Sequence, residues 1–193
     1  RGLSLLLVER GEKVKVRRLE NKLGIHGSPT CEIFFDHAPA RLIGERQRGL
    51  ITYVMSLMNG ARVGIAAQSL GIGEAACRVA RDYAHSRKQF DTAIENFPAV
   101  RELLVTMSVD IQAARALTYW GSYCVDIEMG ALKKLEFGEV ETEEKKPLKK
   151  LARAYKRING LLTPMSKYYA SEMSMRVAND AIAVLGGSGY MKD

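Results

Sequence analysis

Residues 59–90 read NGARVGIAAQSLGIGEAACRVARDYAHSRKQF, and this stretch decides the fold class. Val63, Ala66, Ala67, Leu70, Ala76, Val79, Ala80 and Tyr83 recur at spacings of three and four, which gathers them on one face of a helix. Gly64, Gly71, Gly73, Ala75 and Ala76 carry so little bulk that a neighbouring helix or an extended ligand can approach the backbone closely. The stretch turns polar at His85-Ser86-Arg87-Lys88. Arg87 offers a planar donor fork that suits a phosphate or a carboxylate. On residue type alone it equally suits a solvated helix end whose cations complement the helix dipole.

Working outward, the helical pattern reaches back to about Gln47 through Val54, Met55 and Met58. Downstream, Asn96 and Pro98 form a cap and first-turn pair that predicts a second helix, with Val100, Leu103, Leu104, Met107, Ile111, Ala114 and Leu117 on its apolar face to about Met129. At about 1.5 Å per residue each helix is roughly 45 to 60 Å long, which favours an extended antiparallel bundle. Residues 130–160 change character. The run EVETEEKKPLKKLARAYKR at 139–157 predicts a mobile charged excursion, whose second half keeps Leu148, Leu151, Tyr155 and Ile158 at helical spacing. That half reads as a basic amphipathic helix resting on the bundle or on an anionic surface. Thr163-Pro164 then predicts the start of a third long helix, ending at Gly186-Gly187.

Upstream, residues 1–44 are strand-like. Residues 3–8 and 31–35 are apolar runs, Val14 and Val16 alternate with cations, and Gly11, Gly24, Gly27, Pro29 and Pro39 punctuate them. Three strands cannot close a stable sheet, so this region is expected to be the tail of a larger antiparallel sheet. Arg1 at the start strengthens the expectation that the sequence begins mid-protein.

The 193 residues carry 29 basic and 22 acidic side chains, a formal net charge of +7 that calls for an anionic partner. No zinc-ligand spacing appears and the aromatics are not interleaved with cations, so nucleic acid is not expected. No apolar run is long enough to span a bilayer, and no signal-peptide layout is present. Cys31, Cys77 and Cys124 are far apart without a CxxC spacing, which suits reduced thiols with no assigned chemistry. Gly186-Gly187-Ser188-Gly189-Tyr190 follows a helix instead of opening one, so neither a Rossmann turn nor a phosphate loop is indicated.

Five motifs in order, at residues 22–28 (KLGIHGS), 59–68 (NGARVGIAAQ), 87–90 (RKQF), 169–172 (YASE) and 180–190 (DAIAVLGGSGY), resemble the acyl-CoA dehydrogenase family over nearly the whole chain apart from 130–160. The resemblance implies a mainly α fold: an antiparallel bundle of long helices of the acyl-CoA dehydrogenase C-terminal type over 45–193, preceded by the end of a middle β domain over 1–44. It implies FAD as cofactor, with Arg87 on the pyrophosphate, Gln89 and Phe90 beside it, Phe97 at the adenine end, and Gly186 and Gly187 facing the adenine half. Asn59 and Arg62 match positions that contact the acyl-CoA substrate. The implied reaction is α,β-dehydrogenation to a trans-2-enoyl-CoA in fatty acid β-oxidation, by a cytoplasmic bacterial homodimer or homotetramer that passes electrons to an electron-transfer flavoprotein. No catalytic base is assigned, because Ala61 stands where a minority of members carry it and the usual position is expected beyond Asp193. By itself the chain is expected to be catalytically silent. Two departures from the pattern are Asp91, where a glycine commonly follows RKQF, and Ala183, where a glutamine often precedes the double glycine. The alternatives are an acyl-CoA oxidase and a non-catalytic member of the fold that binds nucleic acid or another anionic partner through the basic helix at 148–158.

Overall fold

A computed structural model describes residues 2–191, so Asp193, beyond which the catalytic base is expected, lies outside the described residues. The chain divides into two compact units, Arg1–Leu57 and Met58–Asp193.

In the first unit β1 (Leu5–Leu7) pairs antiparallel with β4 (Arg41–Ile43), and β2 (Val14–Leu19) with β3 (Cys31–Phe35). The register sets Val14 opposite Phe35 and Leu19 opposite Cys31, with an irregularity between Val16 and Arg18. These are two separate ribbons, and Leu6, Val16, Ile33 and Phe35 on them remain exposed. Two-stranded ribbons bury too little apolar surface to be stable alone. The fourth strand was missed because Arg41-Leu42-Ile43 is too short to show alternation. A wide π-type turn at Gly49–Val54 leads into the first helix.

The second unit is built on three long helices: α1 (Met55–Ser86), α2 (Pro98–Phe137) and α3 (Thr142–Leu185), with a short α4 (Gly187–Tyr190). Between α1 and α2 lies a hairpin of β5 (Lys88–Gln89) and β6 (Thr92–Ala93), followed by a 3-10 turn at Ile94–Asn96. At 1.5 Å per residue the long helices run about 48, 60 and 66 Å. Partners of α2 fall in sequence along α3 as α2 advances, from Asp110 with Arg176 to Lys134 with Glu144, so the two are antiparallel. Ala66, Leu70, Cys77, Ala80 and Ala84 of α1 pack against Met107, Ile111 and Ala114 of α2 and Ala170, Met173, Val177 and Ala181 of α3. A Cβ on Gly73 would stand 3.0 Å from the Met173 sulfur, so the glycine leaves room for that side chain between α1 and α3.

Three helix boundaries differ from the sequence reading. Asn96 belongs to the 3-10 turn and Phe97 occupies the cap of α2 without a side-chain hydrogen bond. Nor does α2 stop at Met129: buried Ala131 and the Lys134–Glu144 ion pair carry it to Phe137. The stretch 130–160 is therefore no open excursion but the end of α2, a four-residue turn at 138–141 and the first part of α3. Thr163-Pro164 does not start a helix. Thr163 is fully buried against α2 and its hydroxyl donates to the Asn159 carbonyl at 2.8 Å, so packing holds α3 through the proline. Pro164 leaves the Gly160 carbonyl without its helical donor, and Gly160 is exposed to solvent.

The distal half of the α2–α3 pair is joined by polar groups. Asn159 Nδ2 donates to the Cys124 carbonyl at 3.1 Å and to Glu128 Oε2 at 2.6 Å, and Ser166 Oγ donates to the Leu117 carbonyl at 3.2 Å. Cys124 sits fully buried in this seam, and burial raises its thiol pKa.

Met173 is wholly buried, so Met173→Ala is expected to cost about 2–5 kcal/mol, read as a lower urea midpoint. Gly73→Ala would occupy the space so vacated. A double-mutant cycle should show the pair less destabilised than the two single changes combined by at least about 0.5 kcal/mol.

Candidate functional site

The site grows from the last turn of α1. Ala80 and Ala84 bury one side of that turn, while Tyr83 is half-buried on another. The Tyr83 carbonyl accepts the Arg87 amide at 2.8 Å, and the Arg87 carbonyl accepts the Ile94 amide at 2.9 Å. These two bonds clamp the chain at Arg87 between the helix and the returning hairpin. Buried Ile94 anchors the return. His85 Nδ1 lies 2.8 Å from Glu95 Oε1, a second tie across the same junction.

Within the hairpin Lys88 faces Ala93 and Gln89 faces Thr92, which leaves Phe90-Asp91 as a two-residue loop. Both have positive φ, 50° and 59°. This is the type I′ geometry whose twist matches the flanking strands and which favours Asn-Gly. A phenylalanine held there is strained by roughly 1–2 kcal/mol, and its ring is nevertheless 90% exposed. The Phe90 ring meets Phe97 edge-on, with centroids 6.5 Å apart at 66°.

The chain end of α3 comes to the same place. Gly186 stops α3 with φ of 56°, and its amide donates to the Ala183 carbonyl at 3.1 Å. The Ser188 hydroxyl lies 3.3 Å from the Tyr83 hydroxyl, which fixes the glycine turn beside the last turn of α1. A Cβ built on Gly186 or on Gly187 would meet nothing within 4 Å, so bare backbone faces open space.

Arg87, Gln89, Phe90, Phe97, Gly186 and Gly187 are thus brought to one end of the bundle. Arg87 is exposed and makes no ion pair among the described residues. A free guanidinium fork, two aromatic rings and open glycine backbone together suit an elongated ligand with an anionic centre and a flat ring. Asp91 adds one negative charge on the hairpin tip. The FAD that the resemblance implies has that shape and charge, and these residues fit it.

Asn59 and Arg62 are not part of this end. Arg62 Nη1 donates to Asn59 Oδ1 at 2.9 Å, which orients the half-buried guanidinium, and they lie on α1 about 36 and 40 Å along its axis from Ser86. The reading of Arg62 as a structural ion pair finds no carboxylate partner among the described residues. Sequence reasoning missed the hairpin, Tyr83 and Ser188. Its only local signal was Asp91, a residue type that tolerates the left-handed region. No group of three or more His, Cys, Asp or Glu side chains among the described residues is placed to hold a metal, and no described helix is long and apolar enough to cross a membrane.

A family model described as "Acyl-CoA dehydrogenase, C-terminal domain" matches residues 48–127 and 147–193. The chain is 32% identical over 197 residues to a protein named 3-(aryl)acrylate reductase from Clostridium sporogenes, covering 100% of this chain and 45% of that protein. It is also 32% identical over 197 residues to acryloyl-CoA reductase (NADH) from Anaerotignum propionicum, covering 100% and 43%. Among solved structures it resembles butyryl-CoA dehydrogenase from Megasphaera elsdenii with a TM-score of 0.73 at 29% identity, over 98% of this chain and 43% of that one. The chain therefore spans less than half the length of the curated relatives it matches.

Asp91→Gly removes a left-handed non-glycine residue without removing a packing contact. It is expected to raise stability by about 0.5–1 kcal/mol, measured as a higher denaturant midpoint with unchanged slope.

Proposed function

We propose that this chain, which belongs to the acyl-CoA dehydrogenase family, contributes the pyrophosphate and adenine end of an FAD site and part of an acyl-CoA site to an enzyme that converts an acyl-CoA to a trans-2-enoyl-CoA. The observation that carries the reading is the convergence of unpaired Arg87, strained and exposed Phe90, Phe97 and the open Gly186-Gly187 backbone at one end of the bundle.

Bound FAD supplies the acceptor for the hydride that leaves the substrate's β-carbon. The chain's own residues act by holding and orienting. Arg87 would hold the pyrophosphate with its donor fork, with Gln89 and Phe90 beside it, Phe97 would line the adenine end, and the glycine turn would face the adenine half. At the other end of α1, Arg62, oriented by Asn59, presents donors to the acyl-CoA. Neither set completes a site alone, which accords with a homodimer or homotetramer whose neighbouring copy supplies the remaining wall. The α-proton goes to a carboxylate that this chain is not assigned, since Ala61 precedes Arg62. Electrons leave to an electron-transfer flavoprotein.

A second reading is the same chemistry in the reductive direction, saturation of a 2-enoyl substrate. It is favoured by the names of two relatives, both reductases. Adding saturated acyl-CoAs of graded length to the full protein should bleach its visible flavin bands at one chain length if dehydrogenation is the reaction. Bleaching by reductant followed by recovery with a 2-enoyl-CoA alone supports the reductive direction. A colourless protein that takes up no added FAD overturns both.

Arg87→Lys keeps the charge and removes the fork. It should weaken FAD retention about ten- to a hundredfold, read from flavin absorbance remaining after gel filtration, with helical content unchanged.

A further inference from the structure

The chain's charge excess is not spread over its surface. All seven surplus cations lie between Lys145 and Arg157, a segment with no acidic residue, so the rest of the chain holds 22 basic and 22 acidic side chains. This segment is the exposed first third of α3. Its first two residues close the stretch 128–146, which the family model does not match.

The arrangement around the helix is ordered. Ala152, Asn159, Thr163 and Ser166 face α2 and are buried. At about 100° per residue the seven cations occupy one arc of roughly 140° beside that seam. Six of them line a cavity of about 700 Å³. The next arc holds Leu151, Ile158, Leu161 and Met165, whose exposures lie between 39% and 62%. Beyond it, Tyr155 lines an open hollow with Trp120 and Tyr123 of α2, whose rings stack with centroids 5.7 Å apart and remain half exposed. Cations, aliphatic side chains and amphipathic aromatics therefore follow one another across a single continuous surface.

We propose that this face of the α2–α3 hairpin docks on an anionic lipid bilayer. The aliphatic band enters the headgroup boundary, the Trp and Tyr rings sit at the interface with their polar tips wet, and the Lys and Arg side chains extend to lipid phosphates. Charge complementarity alone also fits a nucleic-acid backbone, but an exposed aliphatic stripe continuous with the cations contributes nothing to phosphate contacts. The proposal is independent of the FAD reading, since it uses none of the residues at the hairpin end.

The test is cosedimentation of the purified protein with phosphatidylcholine vesicles with and without phosphatidylserine, alongside binding to a DNA duplex. The expected result is binding only to the anionic vesicles, weakening steeply with added salt. The variant K146Q/K149Q/K150Q/R153Q should lose about a hundredfold or more in vesicle affinity. The variant I158Q/L161Q should lose about tenfold with its cations intact, without any change in duplex binding. Circular dichroism melts confirm that both variants fold, and the salt series on the unaltered protein stands whether they do or not. No cosedimentation, equal binding to neutral vesicles, or duplex binding with vesicle affinity indifferent to the I158Q/L161Q change would overturn the proposal.

Discussion

The bundle depends on the close seam between α2 and α3, against which α1 lays a line of mostly small residues. That line is made of Ala66, Leu70, Gly73, Cys77, Ala80 and Ala84, all buried. Small residues on one helix require long ones opposite, and Met107, Met173 and Val177 supply that volume. The thioethers fill an irregular gap that a branched side chain would fit poorly. Because the apolar spine continues to Ala84, the last turn of α1 is held rigidly, and everything attached to that turn inherits its position.

That inheritance explains how a short, exposed and strained hairpin can serve as part of a site. Phe90 and Asp91 are in a backbone region that neither favours, yet the amide bonds at Arg87 and Ile94 and the buried Ile94 side chain leave the loop little alternative. The core supplies the rigidity and the hairpin supplies reach. The turn at Gly186 is tied in from the far end of the sequence by the Tyr83–Ser188 contact, so the candidate surface is assembled from segments 105 residues apart.

The helices were legible in the sequence because a spacing of three and four is imposed by burial itself. Where a boundary depended on tertiary contacts, local rules misled: Thr163-Pro164 has the chemistry of a helix start, but Thr163 is buried against α2 and spends its hydroxyl on the Asn159 carbonyl. The β5–β6 hairpin was invisible, since two-residue strands carry no periodicity and Phe90 is not a turn residue. Of the candidate site, residue types and resemblance pointed to Arg87, Phe90 and Gly186, while their meeting place rests on a contact between hydroxyls remote in sequence. The separation of Asn59 and Arg62 from that place follows simply from the length of α1.

The polar seam between the distal halves of α2 and α3 has a consequence for how the bundle breathes. Around Met173 the helices are joined by buried apolar volume, whereas around Asn159 they are joined by a few hydrogen bonds, and the Asn159 Oδ1 and Thr118 Oγ1 atoms are buried there without a partner. Polar contacts gain little over their water-bonded alternatives, so separating the helices here forfeits less free energy than separating them near Met173. Amide protons from Cys124 to Phe137 and from Thr142 to Asn159 then exchange through a partial opening that leaves the α1 packing closed.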